Sequence, residues 1–134
     1  MGCSLAASFA VLIKEFRRND NPDFLFIEPA GMVTTQELVA ASKLAQRDCN
    51  YEIGPVITLV NAEDFEFLWE ERRNLLVAQM EDADLVALSR ADLQEKTVLG
   101  RIKTEIEPFS KEIIELSTAK GQGLERVMNL LDSP

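Results

Sequence analysis

Four short, continuous apolar runs do most to limit what this chain can fold into. They read Phe24-Leu25-Phe26-Ile27, Val56-Ile57-Thr58-Leu59-Val60, Leu85-Val86-Ala87-Leu88 and Ile113-Ile114-Glu115-Leu116. A strand covered on both faces shows no polar alternation, so each run is read as a buried strand, the last being the weakest. Between the runs the apolar spacing becomes helical. Leu5, Phe9, Leu12, Ile13 and Phe16 form one stripe. Leu38, Ala41, Leu44 and Ala45 form a second, and Phe65, Leu68, Trp69, Leu76 and Met80 a third. Val98, Leu99, Ile102 and Ile106 make a fourth, and Leu124, Val127, Met128 and Leu131 the last. Asn19-Asp20-Asn21-Pro22, Gly54-Pro55, Pro108 and the pair Gly121 and Gly123 mark the breaks. Thr34 or Thr35 is placed to cap the second helix. Strands alternating with helices predict an α/β fold, a three-layer sandwich in which a mostly parallel sheet of about four strands is flanked by helices. No repeat, low-complexity tract or linker interrupts it, so residues 1–134 are expected to form a single domain.

Composition removes several function classes. The chain of 134 residues carries 14 basic and 23 acidic side chains, a formal charge of −9. So acidic a surface repels phosphate backbones and argues against a nucleic-acid partner. There is no histidine, which excludes serine–histidine–aspartate and cysteine–histidine catalysis within these residues. Any chemistry must come from carboxylates, lysines or a bound ligand. No apolar run approaches the roughly 20 residues of a membrane helix, and the start lacks the pattern of a secretory signal. Two cysteines, Cys3 and Cys49, make no disulfide framework, so a reduced, cytoplasmic protein is expected.

Ligands of open parallel sheets bind at the carboxyl ends of the strands. The residues there are Glu28-Pro29-Ala30-Gly31, Asn61-Ala62-Glu63-Asp64, Ser89-Arg90-Ala91-Asp92 and Ser117-Thr118-Ala119-Lys120-Gly121. The run ending in Glu-x-x-Gly resembles the Walker B segment of the CobW/HypB/UreG family of P-loop GTPases, which includes the hydrogenase and urease nickel-loading GTPases. Leu88-Ser89-Arg90-Ala91-Asp92-Leu93 is similar to the guanine-specificity motif Asn-Lys-x-Asp-Leu. Leu116-Ser117-Thr118-Ala119-Lys120-Gly121-Gln122-Gly123 is similar to the Ser-Ala-Lys-x-Gly-x-Gly loop. Gly2-Cys3-Ser4-Leu5-Ala6 keeps the first cysteine of the Gly-Cys-x-Cys-Cys metal motif of CobW-like members.

This resemblance implies a Mg²⁺- and GTP- or GDP-binding domain of a metallochaperone or cobalamin-linked protein. Glu28 would act at the magnesium ion through water, which suits a hard cation, and Gly31 would bring its amide to the γ-phosphate. Asp92 would accept hydrogen bonds from the guanine ring N–H and amino group, with Arg90 stacking on the base. Ser89 stands where the family has asparagine. Ser117, Thr118 and Ala119 would complete the guanine side. Cys3 would be a remnant metal ligand. Partners would be a client metalloenzyme or a corrinoid protein. The motif G-x-x-x-x-G-K-[ST] occurs nowhere among the 134 residues. Its backbone amides and lysine cradle the β- and γ-phosphates. The expectation is therefore a truncated, C-terminal part of such a domain, without GTPase activity on its own. Strands left with unpaired edges would favour self-association.

Simpler readings compete at each position. Glu28 can be a solvated strand end, and Asp92 a helix N-cap before Leu93-Gln94-Glu95. Residues 117–123 can be a plain glycine-rich turn. Glu63, Asp64, Glu66, Glu70 and Glu71 read as a solvated helix face, and Trp69 as core with Phe67 exposed. The competing function is a non-enzymatic interaction module that kept the fold and lost the nucleotide site. A phosphoacceptor receiver domain fits poorly, because Val60-Asn61 ends its strand without an aspartate.

Overall fold

The computed structural model describes residues 3–132, with side chains from Ala6 onward. The chain forms two compact units, residues 1–53 and 54–134.

The first unit is a helix pair, α1 (Cys3–Asn19) and α2 (Thr35–Ala45). Ala10 and Ile13 of α1 pack with Ala45 of α2, joined by Phe9 and Tyr51. Lys14 and Asp48 pair at the surface, and the Tyr51 hydroxyl donates to the Ser42 carbonyl. The start of α2 follows from its sequence. Thr34 is the N-cap, and its Oγ accepts from the Glu37 amide at 3.3 Å while the Glu37 carboxylate accepts the Thr34 amide at 3.1 Å. This capping box satisfies two otherwise orphaned N–H groups. Thr34→Ala is expected to lower stability by about 1 kcal/mol, and Thr34→Ser by less. Urea denaturation followed by helical ellipticity measures both.

Phe24–Ile27 departs from expectation. It joins no sheet and runs as irregular chain between α1 and α2. Phe24 is 64% and Phe26 74% exposed, and Met32 beyond them 72%. A strand exists only with a neighbour to take its N–H and C=O groups. Among the described residues nothing pairs with this run, so its apolar composition alone does not make it one.

The second unit holds a three-stranded parallel sheet flanked by helices. Its strands are β1 (Ile57–Asn61), β2 (Leu85–Ser89) and β3 (Ile113–Glu115), in spatial order β1-β2-β3. α3 (Phe65–Met80) links the first two and α4 (Lys96–Ile106) the second two, and α5 (Leu124–Leu131) closes the unit. Parallel neighbours need such crossovers. Residues 85–88 of β2 are wholly buried, as the middle strand requires. One core cluster joins Val60, Val86 and Leu88 of the sheet to Phe65, Leu76 and Met80 of α3 and Leu99, Ile102 and Ile106 of α4. Trp69 stacks on Phe65 with ring centres 5.2 Å apart and tilts against Phe109, with the Arg73 guanidinium over its ring. Phe67 is exposed. Among the described residues β1 has no strand on its outer side, and Leu59 is 63% exposed.

Two carboxylates at the β3 side are held by cations. Arg126 grips Glu112 through two hydrogen bonds of 2.7 and 2.6 Å, and Lys103 pairs with Glu115 at 2.6 Å. The Arg126 hydrogen bond holds the Glu112 carboxyl below its ordinary value, and Lys103 does the same for Glu115. Folded values below unfolded ones mean that the unfolded chain takes up protons first as pH falls. The stability these pairs contribute is complete above the ordinary glutamate range and is lost as pH drops through the lowered folded values. Denaturation midpoints are therefore expected to decline below about pH 5, and Glu112→Gln to flatten that decline.

Candidate functional site

The register of the sheet brings three strand ends level. Asn61 of β1 stands opposite Ser89 of β2, and the pairing of β2 with β3 runs up to Leu88 and Glu115. Beyond the strands the loops stay tied together by backbone hydrogen bonds. The Ala62 amide donates to the Ser89 carbonyl at 3.2 Å, and the Ala91 amide to the Leu116 carbonyl at 3.1 Å. Loops 61–64, 89–92 and 116–120 thus form one continuous rim at the carboxyl edge.

Ser89 ends β2, and its hydroxyl donates to the Val60 carbonyl at 3.3 Å. This side-chain bond adds to the Ala62–Ser89 backbone bond in fastening the 89–92 loop to β1. Arg90 follows with φ +56°, ψ +33°, a left-handed conformation that non-glycine residues adopt at a cost. That bend turns the chain into a 3₁₀ turn, Ala91–Leu93, with Ala91 buried and Asp92 exposed. The N-cap reading of Asp92 is overturned here. The N-cap position of α4 is held by Glu95, three further on and without a side-chain capping bond, because the 3₁₀ turn and the extended Gln94 intervene. Asp92 is thus an exposed side chain on the rim with no capping duty.

The 117–123 loop is equally well defined. Ser117 is buried, and its Oγ accepts from the Lys120 amide at 3.2 Å. The Ser117 amide donates to the Gln122 carbonyl at 3.0 Å, closing a small antiparallel bridge. Thr118 and Ala119 lie exposed at its tip. Gly121 and Gly123 both take positive φ, and Gly123 passes directly under the carbonyl of Glu115.

One feature was not legible as a site element in the sequence. The Glu63 carboxylate, at the end of β1, receives the Arg90 guanidinium at 2.9 Å. Asn61 shapes the turn that carries Glu63. Its side-chain oxygen accepts the Glu63 amide at 3.2 Å, and its NH₂ donates to Asp64. The signal that finds this pair is the aligned register, which sets the residue two after the β1 end beside the residue one after the β2 end.

Glu28 and Gly31 belong to the first unit. Both are exposed, Glu28 in irregular chain and Gly31 in a turn closed by the Val33 amide on the Ala30 carbonyl at 2.9 Å. A Cβ at Gly31 would meet nothing within 4 Å. Cys3 begins α1, but its side chain lies outside the described residues. Among the described residues no three His, Cys, Asp or Glu side chains converge where they could hold a metal ion. None of the described helices is long and apolar enough to cross a membrane.

Residues 1–114 match the CobW/HypB/UreG nucleotide-binding domain. The chain belongs to this family. No curated protein and no solved structure gives a significant match. In this CobW/HypB/UreG chain the matched span takes in Glu28, Gly31 and the 89–92 loop and ends within β3. The Ser117–Gly123 loop lies past the match. Its position beside the 89–92 loop is a property of this chain's own hydrogen bonding.

Proposed function

We propose that the rim of the second unit is the base-reading side of a guanine-nucleotide site. The observation that carries this reading is the exposed Asp92 carboxylate, held in a fixed turn against the 116–120 loop through the Ala91–Leu116 hydrogen bond. A carboxylate accepts from two adjacent donors at once. The guanine edge, with its ring N–H and amino group, supplies such a pair, and adenine does not. Arg90 offers a flat cation for the base face, and the exposed Thr118 and Ala119 frame the other side. The chemistry of the rim therefore fits a guanine base.

The phosphate side is a different matter. Positioning and charge stabilisation dominate phosphoryl transfer, and the motif that supplies them is not among these residues. The single carboxylate of Glu28, with Gly31 after it, suits a water-mediated contact to Mg²⁺ but makes no cation site alone. The family context supports a role in metal or cobalamin-cofactor loading, with a client metalloenzyme or corrinoid protein as partner. Two cysteines without a framework suit a reducing, cytoplasmic setting.

The deciding experiment is a titration of the purified chain with guanosine and adenosine, followed by chemical-shift changes in the 89–92 and 117–120 loops. Saturable shifts with guanosine and not adenosine support the reading, and no response to either overturns it. A second reading, a non-enzymatic interaction module, draws on the exposed Phe24–Ile27 run and on the outer edge of β1, where no strand pairs among the described residues. Such edges invite pairing with another strand, a second copy of this chain included. It gains if guanosine leaves the loops unmoved while the chain associates with rising concentration.

A further inference from the structure

We propose that Glu63 is a positioning residue for base binding, fixing the plane of the Arg90 guanidinium so that its flat face meets the base. This rests on the reading of the 89–92 loop as base-facing and adds a residue from another strand to it.

Three features of the geometry support it. First, Glu63 is itself held. Asn61 accepts the Glu63 amide and donates to Asp64, so the turn that presents the carboxylate is organised before any ligand arrives. Second, Arg90 leaves the backbone from a left-handed residue, which aims its side chain back across the rim toward β1 instead of along its own loop. Third, guanidinium hydrogen bonds lie in the plane of the group. An acceptor engaged at Nη1 therefore fixes that plane and leaves both faces open, and the Arg90 side chain is 63% exposed. The neighbouring carboxylates also keep the guanidinium firmly charged, Glu63 most and Asp64 after it.

An unanchored arginine loses several rotatable bonds' worth of freedom on stacking. An anchored one has lost that freedom already, so its stacking yields more net affinity. A lysine could not use the same arrangement. Its ammonium has no plane for Glu63 to fix.

The test is guanosine binding to wild type, Glu63→Ala, Arg90→Ala and the double variant. Alanine keeps the backbone amide that Asn61 engages, so the turn survives. Glu63→Ala is expected to weaken guanosine binding about two- to fivefold, the scale of one exposed cation–π contact. In the Arg90→Ala background the same change is expected to do nothing further, because Glu63 acts through Arg90. Glu63→Gln, which keeps an acceptor for the guanidinium, should retain part of the affinity that alanine loses. Wild-type affinity in Glu63→Ala overturns the proposal, as does an equal loss with and without Arg90, which would mark a structural role. If guanosine binding requires Asp92 yet ignores Glu63, this inference falls and the base-reading one stands. If the wild type binds no guanosine, both fall.

Discussion

Gly123→Ala is expected to destabilise the second unit by about 2–4 kcal/mol, combining left-handed strain with overpacking against a rigid neighbour. At this residue φ is +77°, and a Cβ would lie 2.3 Å from the Glu115 carbonyl oxygen, 3.3 Å from its carbon and 3.4 Å from the Leu116 Cα. All three are backbone atoms at the end of a strand, so none can swing aside as a side-chain tip would. The clash also falls where β3 hands over to the Ser117 loop, whose amide closes the bridge to Gln122. Gly121 is the internal control. Its φ is +70°, but a Cβ there meets nothing within 4 Å. Gly121→Ala should therefore cost only the conformational strain, about 1–2 kcal/mol. Urea denaturation of the two variants separates the effects. Equal losses would mean that the close approach to Glu115 carries no energetic weight.

Asp92→Asn carries the largest expected functional effect. Two hydrogen bonds from the guanine edge to one carboxylate are charge-assisted, and losing that charge should weaken guanosine binding about 10- to 100-fold. The amide that replaces it turns one N–H donor and one carbonyl acceptor toward the base edge. It suits xanthosine, which presents a carbonyl where guanine presents its amino group. Asp92→Asn is thus expected to exchange guanosine preference for xanthosine preference, with the melting temperature unchanged because Asp92 is exposed and caps no helix. Guanosine binding that is indifferent to this substitution would remove Asp92 from the base-reading role.

The α/β alternation was legible because it rests on local periodicity. The residues 56–60, 85–88 and 113–116 runs became β1, β2 and β3 with shifts of one residue, and of the two candidate caps Thr34 and Thr35 the first is the N-cap of α2. Pairing is not local. Phe24–Ile27 has the composition of a buried strand, but composition says nothing about whether a neighbour is present to complete a ladder. The uninterrupted pattern also carries no sign of the boundary between the two compact units at residues 53 and 54. At the candidate site, the motif spacing singles out Ser89, Arg90 and Asp92 but leaves an N-cap role for Asp92 open, because a three-residue 3₁₀ turn leaves no clear signature. In the sequence Glu63 reads as part of a solvated acidic face. Its bond to Arg90 spans 27 residues and depends on strand register, which one sequence does not print.

The middle strand has a further consequence for how this chain can change over generations. β2 supplies buried residues to the core and leads without a break into the loop that carries Asp92. Selection for a folded protein and selection for nucleotide recognition therefore act on adjacent residues by separate routes. If recognition ceased to matter, Leu85 to Leu88 would still be retained for packing, and only the exposed rim would drift. Under the proposed base-reading role, a lineage abandoning guanine would leave its mark at positions such as Asp92 and Thr118 long before the strand beneath them altered.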